Sequence, residues 1–261
     1  MTHADTSPPP AATAPAFRRL TSADLGAALS DGWADFRRAP QFGVFFASVY
    51  VVMGLLIAWA LAATGQFWWI IPAAFGFLLI APFTATGLYE VSRRLGTGEP
   101  LDWGAVLRAP VRFGNGQIPA LAALMIVYFM MWLIIARVVV AVFQGTGTLP
   151  NITQSLWALV TPEGLMLILI GGAVGAVLAF VLFATQVVSL PMLLDRDIDF
   201  ITAIVASVTL VRDNPWVMFR WAVIIAVLTT LAMLPAFLGL FIVLPLLGHA
   251  TWHLYRRAQA T

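Results

Sequence analysis

The chain has 261 residues, 61% of them hydrophobic and 10% charged, with a net charge of +2 and no cysteine. A soluble domain carries about a quarter charged residues, so this chain cannot cover itself with a water-facing surface. Without cysteine, disulfides, thiolate metal sites, iron–sulfur ligation and thiol catalysis are all excluded.

Residues 1–18 are rich in proline and alanine with no apolar run, which predicts a disordered tail. They lack a cationic start followed by a short apolar stretch, so no cleaved signal peptide is expected. TSADLGAALSDGWADFRRAP (21–40) places apolar residues at helical spacing, and Thr21 with Asp24 form an N-terminal cap. That helix is too polar to cross a bilayer and is expected on its surface. Apolar runs then follow at 42–63, 67–88, 118–142 and 164–190, each long enough to span ~30 Å of hydrocarbon. The last run, 221–255, contains Pro235 and reads as two helices, about 216–234 and 236–255. The expected fold is all-α, a polytopic membrane bundle of six transmembrane helices in a single domain over 19–257, with 258–261 as a tail.

All 14 basic residues are arginines. They precede the first span, fill the loops after spans two and four, and follow the last span, while Arg137 lies within span three. The positive-inside rule therefore puts both termini in the cytoplasm. Basic residues spread over every inner loop are topology signals, so no nucleic-acid partner is expected.

The chain also resembles itself. TSADLGAALSDGWADFRRAP pairs with DIDFITAIVASVTLVRDNP (197–215), aligning Asp24 with Asp199, Arg37 with Arg212 and Pro40 with Pro215. LDWGAVLRAP (101–110) is a weaker copy. IPAAFGFLLIAPFTATGLYEVSRR (71–94) pairs with LPAFLGLFIVLPLLGHATWHLYRR (234–257), aligning Pro82 with Pro245 and both arginine pairs. The expectation is a pseudo-threefold repeat of surface helix plus hairpin, in units of about 21–95, 100–195 and 197–257. Gly54 and Ala58 in the first span, and Gly171 and Gly175 in the fourth, carry small residues at four-residue spacing, which suits close helix packing.

GHATWHLYRR, the preceding LPAFLGLFIVLPLLG and DIDFITAIVASV resemble a bacterial family of integral membrane proteins known only as a domain of unknown function. The resemblance covers about 20–257 and is most specific over 197–257. It implies a six-span protein of the bacterial cytoplasmic (inner) membrane, and it implies no reaction.

His249 and His253 sit one turn apart, a spacing that chelates zinc, copper or nickel. The repeat aligns His253 with Glu90, which would complete a His-His-carboxylate set. Both histidines cannot be the axial pair of one haem, because they share a helix face. The alternative is an ordinary aromatic and basic membrane anchor formed with Trp252, Tyr255, Arg256 and Arg257. Arg137 and Glu163 lie toward the same outer end and are expected to pair. Asp195, Asp197 and Asp199 cluster in an inner loop, where two could serve as acid and base.

No phosphate-binding loop, dinucleotide motif or nucleophile elbow is present. The sequence favours a non-enzymatic accessory, assembly or scaffold factor with the bilayer, another membrane complex or itself as partner. A small-solute transporter or permease is one alternative. A metal- or haem-handling protein using His249 and His253 is another.

Overall fold

A computed structural model describes residues 17–65, 70–112, 117–144 and 161–259. Residues 1–16 of the expected N-terminal tail and 145–160 of the outer loop at 143–163 lie outside the described residues. The described chain is helical, its only β feature an isolated bridge between Phe17 and Gln259.

Helix α1 (Ser22–Arg38) starts on a capping box: Thr21 Oγ1 accepts from the Asp24 amide, and Asp24 Oδ2 accepts from the Thr21 amide at 2.8 Å. Its buried Leu25, Ala28, Gly32 and Phe36 form one face, as the spacing predicts. Helix α2 is Pro40–Thr64, α3 is Ile70–Thr97, α4 is Trp103–Arg112 and α5 is Gln117–Gln144. After them come α6 (Pro162–Gln186), the short α7 (Ser189–Asp195), α8 (Phe200–Asp213), α9 (Pro215–Met233) and α10 (Leu240–Ala258).

The three stretches expected as surface helices do form helices, α1, α4 and α8, and α1 and α8 turn one side into the main core. Asp102 Oδ2 accepts from the Ala105 amide at 2.8 Å, and Asp199 Oδ1 from the Thr202 amide at 2.9 Å. Aligned in the sequence, Asp24 and Asp199 differ in use: Asp199 is itself the N-cap, while Asp24 is the third helical residue behind Thr21. The other ends agree closely. Ala39 (φ −140, ψ 54) and Asn214 (φ −129, ψ 50) share one backbone shape, each just before a helix-starting proline. Proline disfavours the helical region for the residue before it, which separates α1 from α2 and α8 from α9.

Among the described residues, four helical stretches are long and apolar enough to cross a membrane: Pro40–Thr64, Gln117–Phe143, Pro162–Asp195 and Pro215–Met233. The expected second and sixth spans are not among them. The described part of the second, 70–88, falls within α3, one helix of 28 residues that runs through Pro82. The sixth begins later than the sequence suggests. Residues 234–239 form turns rather than a helix start, with Ala236 (φ 51) and Phe237 (φ 65) in the left-handed region. The α9–α10 hairpin needs this connection, because its arms nearly touch: a methyl on Gly239 would lie 2.7 Å from the Ala232 Cα.

Burial is uneven. The main core gathers α1, α7, α8 and α10 with parts of α3, α5 and α9, and it centres on Trp221, Tyr255, Leu210 and Met192. By contrast, the most apolar windows of α5 and α6 bury none of their residues.

Candidate functional site

At the core end, α3 leaves its apolar stretch as LYEVSRRLGTGEP. Glu90, Arg93 and Arg94 share a helix face at i, i+3 and i+4. The Glu90 side chain is fully buried, and both its oxygens are used. Arg93 donates to it at 2.7 and 2.9 Å, and Arg94 at 2.6 Å. Arg93 also holds Glu99 at 2.7 and 2.9 Å, and Arg94 donates to the Pro100 carbonyl at 2.8 Å. The Arg93 guanidinium keeps the Glu99 carboxyl well down, at about 2. These bonds pin the chain as it turns from α3 toward α4. The sequence carried the signal in its i, i+3, i+4 spacing.

Helix α10 lies against this group and against α1. Its closeness to α1 depends on Gly32, where a methyl would meet the Ala250 backbone nitrogen at 2.6 Å. His253 Nε2 donates to Asp35 Oδ2 at 2.6 Å. His249 is fully buried, with Nδ1 2.8 Å from Ser92 Oγ and Nε2, among the described residues, without a hydrogen-bond partner. Burial is the largest single influence on the Asp35 carboxyl and would raise it, but the hydrogen bond and charge of His253, with smaller contributions from Ser92 and His249, together hold it below the usual value. Sequence reading did not reach Asp35 or Ser92, since nothing local marks partners this far apart.

His249, His253 and Glu90 thus lie on neighbouring helices but face different partners. Glu90 is saturated by two guanidiniums, and the His253 Nε2 is taken by Asp35. Among the described residues no group of three or more His, Asp or Glu side chains is arranged to hold a metal ion.

The other expected residues are distributed as follows. Arg137 and Glu163 are both exposed, and among the described residues no ion pair joins them. Gly54 lies under the Phe237 ring, with 2.8 Å left for a methyl, while Ala58 is exposed. Gly171 and Gly175 face Val139 and Trp132 of α5 at ordinary contact distances. The aspartate cluster splits: Asp195 accepts from Tyr255 (2.7 Å) and Gln259 (2.9 Å), Asp199 caps α8, and Asp197 is exposed.

Two cavities matter. One of about 270 Å³ lies among α2, α3, α9 and α10, where Tyr50 and Thr84 are hydrogen-bonded at 2.7 Å and Thr229 and Thr251 add hydroxyls. The second, about 300 Å³, lies between α5 and α6.

Helices of this length and apolarity around a buried ionic group describe an integral membrane protein. Residues 70–195 match the family described as predicted integral membrane protein (DUF2189). The match runs from α3 to the end of α7 and so takes in the α5–α6 hairpin, whereas the stretch read as most distinctive, 197–257, lies outside it. No curated protein and no solved structure matches the chain.

Proposed function

We propose that this is a non-enzymatic accessory or assembly factor of the bacterial inner membrane, which presents its α5–α6 hairpin to a partner within the bilayer. One observation carries this reading. In the most apolar windows of α5 and α6 no residue is buried, although the two helices touch each other, so their outer faces are left for lipid or another protein. The ionic chemistry at the other end supports it, because Glu90, Glu99, Asp35, Asp24, Asp31 and Asp195 all have internal partners. A metal at His249, His253 and Glu90 would require the last two to give those partners up.

The proposed topology is six spans in three hairpins, with α3 and α10 as the second and sixth and both termini cytoplasmic. The arginine distribution supports it. So does the meeting of the two ends, where the Arg18 amide donates to the Ala258 carbonyl at 2.9 Å, since ends on one side require an even number of crossings. The shared backbone of Ala39 and Asn214 supports the repeat.

The test is native electrophoresis of membranes extracted in mild detergent. The protein should run in a defined complex, and Leu169→Trp with Val177→Trp on the exposed face of α6 should dissociate it without changing the melting temperature. Migration as a single protomer, unchanged by the substitutions, would contradict the reading. A small-solute permease is the second reading, favoured by the hydroxyl-lined cavity among α2, α3, α9 and α10. Solute flux in proteoliposomes made from the same preparation would decide for it.

A further inference from the structure

The cleft between α5 and α6 has a chemistry of its own. Its volume is about 300 Å³, at the lower end for ligand pockets and about twice that of a cavity able to hold benzene. Leu124, Val127, Met131 and Val181 line it and are themselves exposed, so it opens sideways where hydrocarbon would lie. Ile204 of α8 closes one side, and the polar lining is Tyr128, Thr185 and Gln186; the Gln186 Oε1 is buried and, among the described residues, has no hydrogen-bond partner. The neighbouring hydroxyls are already committed. Thr185 donates to the Leu182 carbonyl at 2.8 Å, and Tyr128 donates to the Leu178 carbonyl at 2.7 Å. A buried acceptor left unmet carries its full desolvation cost, so whatever fills the cleft gains by bringing a donor.

From these features we propose that the α5–α6 cleft binds a neutral single-chain amphiphile whose terminal hydroxyl donates to Gln186 Oε1 while its alkyl chain lies along Val127, Met131 and Val181. The donor is a hydroxyl and not an ammonium, because no carboxylate lines the cleft to balance a charge there. The ligand enters from the bilayer, since the opening is on the apolar flank. Its orientation is that of a lipid. Gln186 is the last residue of α6, next to the core end of the molecule, and the apolar lining extends from it along both helices. The site rests on Gln186 and the cleft lining, whether or not the exposed stretch of α6 at Leu169 and Val177 docks a partner.

The experiment uses the purified full chain in phosphatidylcholine nanodiscs. Three photoactivatable probes are compared: a diazirine-bearing dodecanol, its methyl ether, which has the same chain but no donor, and the corresponding methyl ketone. Cross-links are mapped by peptide. In the wild type the alcohol should label α5 and α6 about fivefold more than the ether, roughly the worth of one neutral hydrogen bond. Gln186→Leu should bring that ratio to about one, and Gln186→Met serves if the leucine variant does not fold. Val181→Phe, which fills the cleft, should reduce labelling by all three probes. Equal labelling in the wild type, or a preference that survives loss of the amide, overturns the proposal. So does a preference for the corresponding methyl ketone, which could only accept a bond.

Discussion

His253 Nε2 lies 2.6 Å from Asp35 Oδ2, joining α10 to α1 across 218 residues of sequence. Beside it, His249 meets Ser92 of α3. One face of α10 therefore ties three helices together at the arginine-rich end. A charge-assisted bond in a half-buried site is worth roughly 1.5–3 kcal/mol. Asp35→Asn and His253→Ala should each lower stability by about that much, and the double variant should cost less than the sum, because both remove the same bond. Urea or thermal unfolding in detergent measures all three.

The same pair predicts an acid limb. Asp35 is held below its ordinary value of 3.8 in the folded protein. It therefore binds its proton less readily folded than unfolded, and its contribution is complete above 3.8 and fades as pH falls through the lower folded value. Melting temperature should drop below about pH 4. In Asp35→Asn that part of the drop should be missing. A wild type and variant with parallel acid limbs would show that the pair does not contribute.

Two glycines in α1 should respond in opposite directions. A methyl on Gly32 would collide with the Ala250 backbone, which cannot move aside as a side chain could. Gly32→Ala should destabilise by about 1–3 kcal/mol. Gly26 has nothing within 4 Å of an added Cβ, so Gly26→Ala should stabilise by up to about 1 kcal/mol through helix propensity alone. Equal effects at the two positions would mean that α1 does not pack on α10 at this distance.

Much of this arrangement was legible in the sequence, for local reasons. Caps at Thr21, Asp102 and Asp199 and prolines at 40 and 215 act within a few residues, so α1, α4 and α8 could be placed before any contact was known. Long apolar runs marked most of the spans. The missed features are tertiary. Asp35 and His253 carry no shared signal. The delayed start of α10 depends on left-handed Ala236 and Phe237, residue types that rarely adopt that conformation and so gave no warning. The Arg137–Glu163 pair was inferred from proximity to one membrane face, yet two exposed side chains on separate helices need not meet.

Arg137 itself supplies a negative prediction. It is exposed and, among the described residues, has no ion pair, so Arg137→Leu should change stability by no more than about 0.5 kcal/mol. A large loss would indicate that the guanidinium is anchored by something other than the water and headgroups it can reach.

Topology can be tested cleanly because the chain has no cysteine of its own. Single cysteines at the exposed positions Ser30 and Asp197 should react with an impermeant maleimide only from the cytoplasmic side. Those at the exposed Ala63 and Thr161 should react only from the other. Ser30 and Ala63 reacting from the same side would overturn the first crossing and, with it, the six-span arrangement.

We propose that the buried ionic group at the α3 end serves to hold the protein together. The most direct measurement is the melting of Glu90→Gln in detergent beside the wild type. Breaking a buried ion group at one partner costs about 3–5 kcal/mol, and for a chain of this size each kcal/mol is worth roughly 2–4 °C. A fall of about 6–20 °C is expected, with Arg93 and Arg94 left facing a neutral amide. An unchanged melting temperature would contradict it, because a fully buried carboxylate between two arginines that adds nothing to stability must be kept for another purpose.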